Sequence, residues 1–212
     1  MPKVTKIEIQ KTQKGFNIYL DGKYSFSLNP LVYLQSKLKI NQELSEKEID
    51  GLIFQSNFQQ LYDSTLNLIS FRPRSEKEIR DYLNKKTSTT ESDKFSELII
   101  NRLKENNHLD DEKFIEWWID QRQTFRPRSK FALTIELQRK GIDTDLINRK
   151  MAQLFDSKIE FDQVRLLAEK KLKRLSGQPT RIVRQKIGRY LASRGFDWDK
   201  IKAVLEEILE KR

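Results

Sequence analysis

The sequence has no cysteine, so disulfide frameworks, thiol nucleophiles and Cys-ligated zinc are excluded. It has one histidine, His108, and no nucleophile with a histidine partner, no Walker A loop and no dinucleotide glycine pattern. Only 7 Gly and 5 Pro among 212 residues argue against a loop-rich or disordered chain. No stretch approaches the roughly 18 apolar residues of a membrane span. Met1-Pro2-Lys3-Val4-Thr5-Lys6 opens without the apolar run of a signal peptide. These absences lead us to expect a cytoplasmic, non-enzymatic protein with no cofactor, no metal and no membrane partner.

Charge is what the chain has in quantity. The formal net charge is +10, and 34% of residues are charged. The excess is uneven: residues 158–195 carry eleven Lys/Arg against three acids, whereas residues 91–111 carry three against six. A patchy basic excess points to a polyanionic partner more than to uniformly solvated faces.

The first thirty residues read as strands. Phe16, Ile18 and Leu20 alternate, Asp21-Gly22 interrupts, and Tyr24, Phe26 and Leu28 alternate again, which is a hairpin pattern. Ile7 and Ile9 suggest a third strand. Pro30 opens a short helix, and Ser45-Glu46-Lys47-Glu48 is a capping box that starts another. Beyond about residue 54 the apolar period becomes 3.6. Nine helices are expected, near 54–70, 75–86, 92–106, 111–124, 129–140, 144–156, 160–175, 180–194 and 198–211.

An internal repeat organises these helices. Phe71-Arg72-Pro73-Arg74-Ser75 recurs as Phe125-Arg126-Pro127-Arg128-Ser129, an offset of 54. That offset also aligns Leu83, Leu137 and Leu191, then Lys86, Lys140 and Arg194, then Gly141 with Gly195. In the third copy Gly177-Gln178-Pro179-Thr180 replaces the Arg-Pro-Arg-Ser corner. The expected fold is mainly α: three tandem three-helix repeats forming an elongated curved solenoid, with a small N-terminal β-hairpin or meander plus short helices. The expected divisions are 1–53, then repeats at 54–108, 109–157 and 158–212.

Two readings of the corner stay open. Ser75 and Ser129 are natural N-caps, with Glu78 completing a box after Ser75. Alternatively, arginines on both sides of a rigid proline form a clamp for phosphate or carboxylate. Candidate contacts in the first copy are Arg72, Arg74, Lys77, Arg80, Lys85 and Lys86. The second copy offers Arg126, Arg128, Lys130, Arg139 and Lys140. The third offers Lys170, Lys171, Lys173, Arg174, Arg181, Arg184, Lys186, Arg189 and Arg194. In register they would form a stripe that tracks a phosphate backbone. Phe114, Trp118 and Phe125 lie at helical spacing with Trp117 beside them, and for these a core role is favoured over base stacking. Trp198 is equally compatible with packing. His108 stands next to Leu109-Asp110-Asp111-Glu112, where the acids read as a helix cap and first turn, not as a metal site.

The Arg-Pro-Arg-Ser corners, Glu76-Lys77-Glu78-Ile79-Arg80, Leu109-Asp110-Asp111-Glu112-Lys113-Phe114, and the endings at 137–142 and 191–196 together resemble the RecX family over residues 60–212. The N-terminal hairpin and helix resemble an extension carried by some members. Two departures are residues 87–92, where a Lys-Gly ending is replaced, and the missing third corner. The resemblance implies a monomeric regulator that binds the RecA nucleoprotein filament, lies in its groove, damps RecA in recombination and DNA repair, and contacts single- and double-stranded DNA. The rival is a helical nucleic-acid-binding module acting on DNA without RecA.

Overall fold

A computed structural model describes residues 1–11, 14–87, 92–155 and 157–210. Most of the 87–92 departure therefore lies outside the described residues. The chain divides into two compact units: residues 1–72 with 79–108, and residues 73–78 with 109–212.

The first unit opens with an antiparallel meander of β1 (Val4–Ile9), β2 (Phe16–Leu20) and β3 (Lys23–Leu28), ordered β1-β2-β3. Asp21 and Gly22, at φ 48° and 81°, make the tight turn that the Asp-Gly pair predicts. The alternation in β3 is broken by a bulge: Ile18 pairs with Phe26 but Tyr19 pairs with Tyr24, so Ser25 is the extra residue. Phe26 and Leu28 are buried, whereas Tyr24 moves to the outer face and meets Tyr19 edge-on at 6.0 Å. Of the two isoleucines on one face of β1, Ile7 packs against the sheet core while Ile9 is exposed at the strand end, and Val4 is fully buried.

Helix α1 (Pro30–Ser36) starts at Asn29, whose side chain accepts from the Leu31 N–H. Helix α2 runs unbroken from Glu46 to Phe71 behind the Ser45–Glu48 capping box. The capping box and the 54–70 segment thus belong to one helix. The sequence period hides this because α2 serves two partners in turn. Ile49, Leu52 and Ile53 pack on the sheet core, and Ser56 bonds the Asn29 N–H at 2.8 Å. Further on, Phe54 stacks on Phe95 of α4 (Ser92–Glu105) at 4.7 Å. Arg102 lies 4.8 Å from the Tyr62 ring.

Helix α3 (Glu76–Lys86) begins in the second unit, which also holds α5 (Asp111–Phe125), α6 (Lys130–Arg139), α7 (Thr144–Leu154), α8 (Ser157–Lys173), α9 (Thr180–Ala192) and α10 (Trp198–Glu210). Phe114, Ile115, Leu133, Leu137, Ile147 and Met151 form one core, with Trp117 and Trp118 packed against it. Val164, Val183, Ile187, Leu191, Ile201 and Val204 are among the residues of another. Each such side chain contributes about 1.5–3 kcal/mol by leaving water. Phe125 is not part of its stripe: it is 77% exposed, because α5 ends on it and the chain turns away at Pro127. Trp198 is 60% exposed.

Helices α6 and α9 both end in a glycine-based C-terminal turn. Gly141 (φ 79°) and Gly195 (φ 84°) follow them, and the next residues, Ile142 and Phe196, return their N–H groups to Leu137 and Leu191. Helix α4 ends the same way on Asn107 (φ 57°), with the His108 N–H on the Leu103 carbonyl. Asp110 then caps α5 by accepting from the N–H groups of Glu112 and Lys113.

Candidate functional site

From Pro73 in the first copy and Arg126 in the second, the Arg-Pro-Arg-Ser corners lie in the second unit, where they act as joints. Ser75 is fully buried; its hydroxyl accepts the Glu78 N–H at 3.3 Å and donates to the Lys140 carbonyl at 2.8 Å. The Glu76 N–H is taken by Asp111 Oδ1 at 3.0 Å, and Lys140 Nζ reaches Glu78 Oε1 at 2.6 Å. The second corner repeats the plan. Ser129, 2% exposed, accepts the Ala132 N–H at 3.1 Å, and its own N–H donates to the Arg194 carbonyl at 3.1 Å. The Lys130 N–H goes to Glu160 Oε1 at 3.0 Å, and Arg194 Nη1 donates to the Pro127 carbonyl at 2.7 Å.

In both cases the corner helix has its first N–H groups satisfied partly by its serine and partly by a first-turn acid of the following copy. The glycine turn of that copy lies against the corner. A Cβ on Gly141 would stand 2.6 Å from Lys77 Cβ, and one on Gly195 would stand 2.7 Å from Ala132 Cβ. Ser75→Ala removes a cap and leaves the part-buried Lys140 carbonyl without the Ser75 hydroxyl. We expect a loss of about 2 kcal/mol, read from denaturant unfolding, against about 1 kcal/mol for a simple cap; a loss below about 0.5 kcal/mol would show that Ser75 is not part of a joint.

The joints absorb several of the sequence candidates. Lys140 and Arg194 close them directly. Arg128 Nε pairs with Glu136 Oε1 at 3.0 Å, and the other Glu136 oxygen takes Arg122 at 2.8 Å and the Trp118 indole N–H at 3.0 Å. The Trp118 ring carries Arg122 at 4.5 Å and Lys140 at 5.0 Å. Lys77 Nζ reaches the Arg139 carbonyl at 3.5 Å, and Arg80 pairs with Glu97 at 2.9 Å. Arg72 and Arg74 are half-buried. The sequence reading does not single out Glu136 and Glu160, and it gives Glu78 and Asp111 only a local capping or first-turn role; their partners lie up to 62 residues away, and only the repeat offset hinted at a shared contact. A separate tie holds α5 to α7. Lys150 bonds Glu116 at 2.7 Å and Glu112 at 3.0 Å, and that hydrogen bond and charge hold the Glu112 carboxyl below its ordinary value.

The remaining candidates face solvent. Lys85, Lys86, Arg126, Lys130 and Arg139 are exposed around α3 and α6. Lys170, Lys173 and Arg174 are exposed at the end of α8, while Lys171 lies 5.4 Å from the Tyr190 ring, which Arg194 also covers at 4.6 Å. Arg181, Arg184, Lys186 and Arg189 are exposed on α9, whose other side buries Val183, Ile187 and Leu191. Lys186 reaches Gln178 at 2.8 Å. Three of these cations belong to the last turn of α8, where they complement the helix dipole. Basic residues at the end of α8 and on the exposed side of α9 thus form a dense positive surface within one three-helix copy.

A concavity of about 820 Å³ in the first unit lies between α1, α2 and α4, lined by the amides of Gln35, Gln55, Gln59 and Asn101 over Phe54 and Phe58. None of the sequence candidates lines it. No cluster of three or more His, Asp or Glu side chains able to hold a metal ion occurs among the described residues. Among them, too, no helix is long and apolar enough to cross a membrane.

Comparison with known proteins matches four patterns in chain order. Residues 2–45 match the regulatory protein RecX N-terminal domain, and residues 62–89, 110–151 and 158–205 match the first, second and third three-helix domains of RecX. The chain is 33% identical to regulatory protein RecX of Bacillus velezensis over 98% of its length and 78% of that protein. It is 30% identical to the Clostridium tetani protein of that name, covering 98% of this chain and 94% of the relative. A crystal structure of regulatory protein RecX superposes with a TM-score of 0.70 at 27% identity, covering 97% of this chain and all of that one. RecX from Lactobacillus salivarius gives a TM-score of 0.59 at 25% identity, over 71% of this chain and 95% of that one.

Proposed function

Because this chain belongs to the RecX family, we propose that it is a non-catalytic regulator that binds the RecA–DNA filament and damps RecA activity in recombination and DNA repair. The observation that carries this reading is the ordered match of the N-terminal domain and all three three-helix domains along residues 2–205. The exposed cations of α8 and α9 support a polyanionic partner. In this reading the protein works as a monomer in the cytoplasm. Residues 1–53 precede three functional repeats at 54–108, 109–157 and 158–212. The exposed Lys and Arg residues contact single- and double-stranded DNA within the filament, while Arg128, Lys140 and Arg194 hold the repeats that present them.

The test separates RecA from bare DNA. RecA ATPase on single-stranded DNA is measured with increasing salt, beside binding of this protein to naked strand. Inhibition is expected to persist at salt that abolishes naked-strand binding, since electrostatic contacts to DNA alone weaken steeply with salt. If both vanish together, the protein acts on DNA without recognising RecA.

A further inference from the structure

We propose that the Phe-Arg pairs ending α2 and α5 are platforms for unstacked bases of single-stranded nucleic acid: the ring of Phe71 or Phe125 takes a base face, and Arg72 or Arg126 takes the adjoining phosphate. The inference rests on the DNA contact in the proposed function and names residues for it.

The two phenylalanines occupy the same structural position. Each is the last residue of its helix, each is 77% exposed, and each is followed by the arginine that caps the helix. A single exposed aromatic needs no explanation, but the internal repeat offers a comparison. Buried positions agree between copies for packing reasons, as Ser75 with Ser129 and Leu83 with Leu137 do. Exposed positions have drifted: Ser70 stands opposite Thr124, Lys77 opposite Phe131 and Asn84 opposite Gln138. Phe71 and Phe125 are exposed and yet identical, so neither packing nor the joint accounts for them.

The neighbouring charge selects the partner. An apolar pocket on another protein would use the ring but not the guanidinium fixed next to it by the Arg-Pro corner. A single strand offers both a π-face and a phosphate at each nucleotide, and aromatic stacking tolerates any base. A duplex hides its base faces in the stack and would engage only the arginines.

Binding is measured for labelled oligothymidylate and for a strand of equal length made of abasic sugar-phosphate units. The proteins are the unmodified chain, Phe71→Ala/Phe125→Ala and Phe71→Tyr/Phe125→Tyr, with melting followed for each. The unmodified chain should prefer the base-bearing strand. The alanine pair should lose about 5-fold or more on it for each ring engaged, with less than about twofold change on the abasic strand, and the tyrosine pair should retain the preference. Equal binding of oligothymidylate by the unmodified and alanine proteins overturns the platform while leaving the DNA contact standing. Equal losses on both strands also overturn it. Failure of the unmodified chain to bind either strand overturns the DNA contact itself, and the platform with it.

Discussion

Gly195→Ala is expected to be among the most damaging single-methyl changes in the second unit, at about 3 kcal/mol, or a fall in melting temperature of roughly 10 °C. Two effects add. The residue sits at φ 84°, where an L side chain costs about 1–2 kcal/mol. The new Cβ would also lie 2.7 Å from Ala132 Cβ and 2.8 Å from Ser129 Oγ, so the corner must open and the Ser129 cap must shift. Gly177→Ala separates the two effects. Gly177 has φ 82° in the turn between α8 and α9, but nothing lies within 4 Å of its Cβ position. It should cost only the backbone strain. If the two variants melt together, the close approach at the joint contributes nothing and the joint is looser than its geometry indicates.

The second large effect concerns binding without stability. Arg181→Gln, Arg184→Gln and Arg189→Gln together remove three exposed charges from α9 and leave Val183, Ile187 and Leu191 in place. Melting should stay within about 0.5 kcal/mol per site, as exposed substitutions usually do. If all three neutralise phosphates on a single strand, the log–log slope of affinity against salt becomes shallower by about 2, and affinity at 0.15 M salt falls roughly 50-fold. Should slope and affinity both survive, the exposed side of α9 does not meet DNA. The Gly195 and α9 changes therefore form opposite controls, one disturbing the scaffold and the other its presented charge.

Much of the scaffold was legible because it is written locally. Asp21-Gly22, the Ser45–Glu48 box, Pro30 and the glycines at 141 and 195 each act within a few residues, and each marks the turn or helix end that its chemistry demands. The misreadings came where a distant partner decided the outcome. The two-partner helix α2 was split because its apolar face rotates from the sheet to α4. A bulge exposes Tyr24 and a strand end exposes Ile9, and neither feature is visible to simple alternation. Phe125 fitted the α5 stripe by period but lies one step past its buried part.

The candidate site was legible as a population of cations, not as a surface. Nothing local distinguishes Arg128, which Glu136 holds, from Arg126, which is exposed; the distinguishing carboxylate is on the next helix. Lys140 and Arg194 looked like continuations of basic helices, yet each precedes a joint glycine and closes the joint. The repeat offset was the one sequence signal that reached beyond local range. It aligned the serines and the glycines without showing that one meets the other.

That meeting has a polarity. A copy engages its successor through a serine corner and its predecessor through a basic-glycine turn, so the coupling behaves like tongue and socket. The third copy keeps the socket, at Arg194-Gly195, but α9 starts at Pro179 with no side-chain hydrogen bond at its cap. A further copy grafted behind α10 would find no tongue to receive it. At the cap of α9 stands Pro179, where Ser129 stands before α6, so the third copy presents a rigid chain entry without the hydroxyl that locks the first two corners.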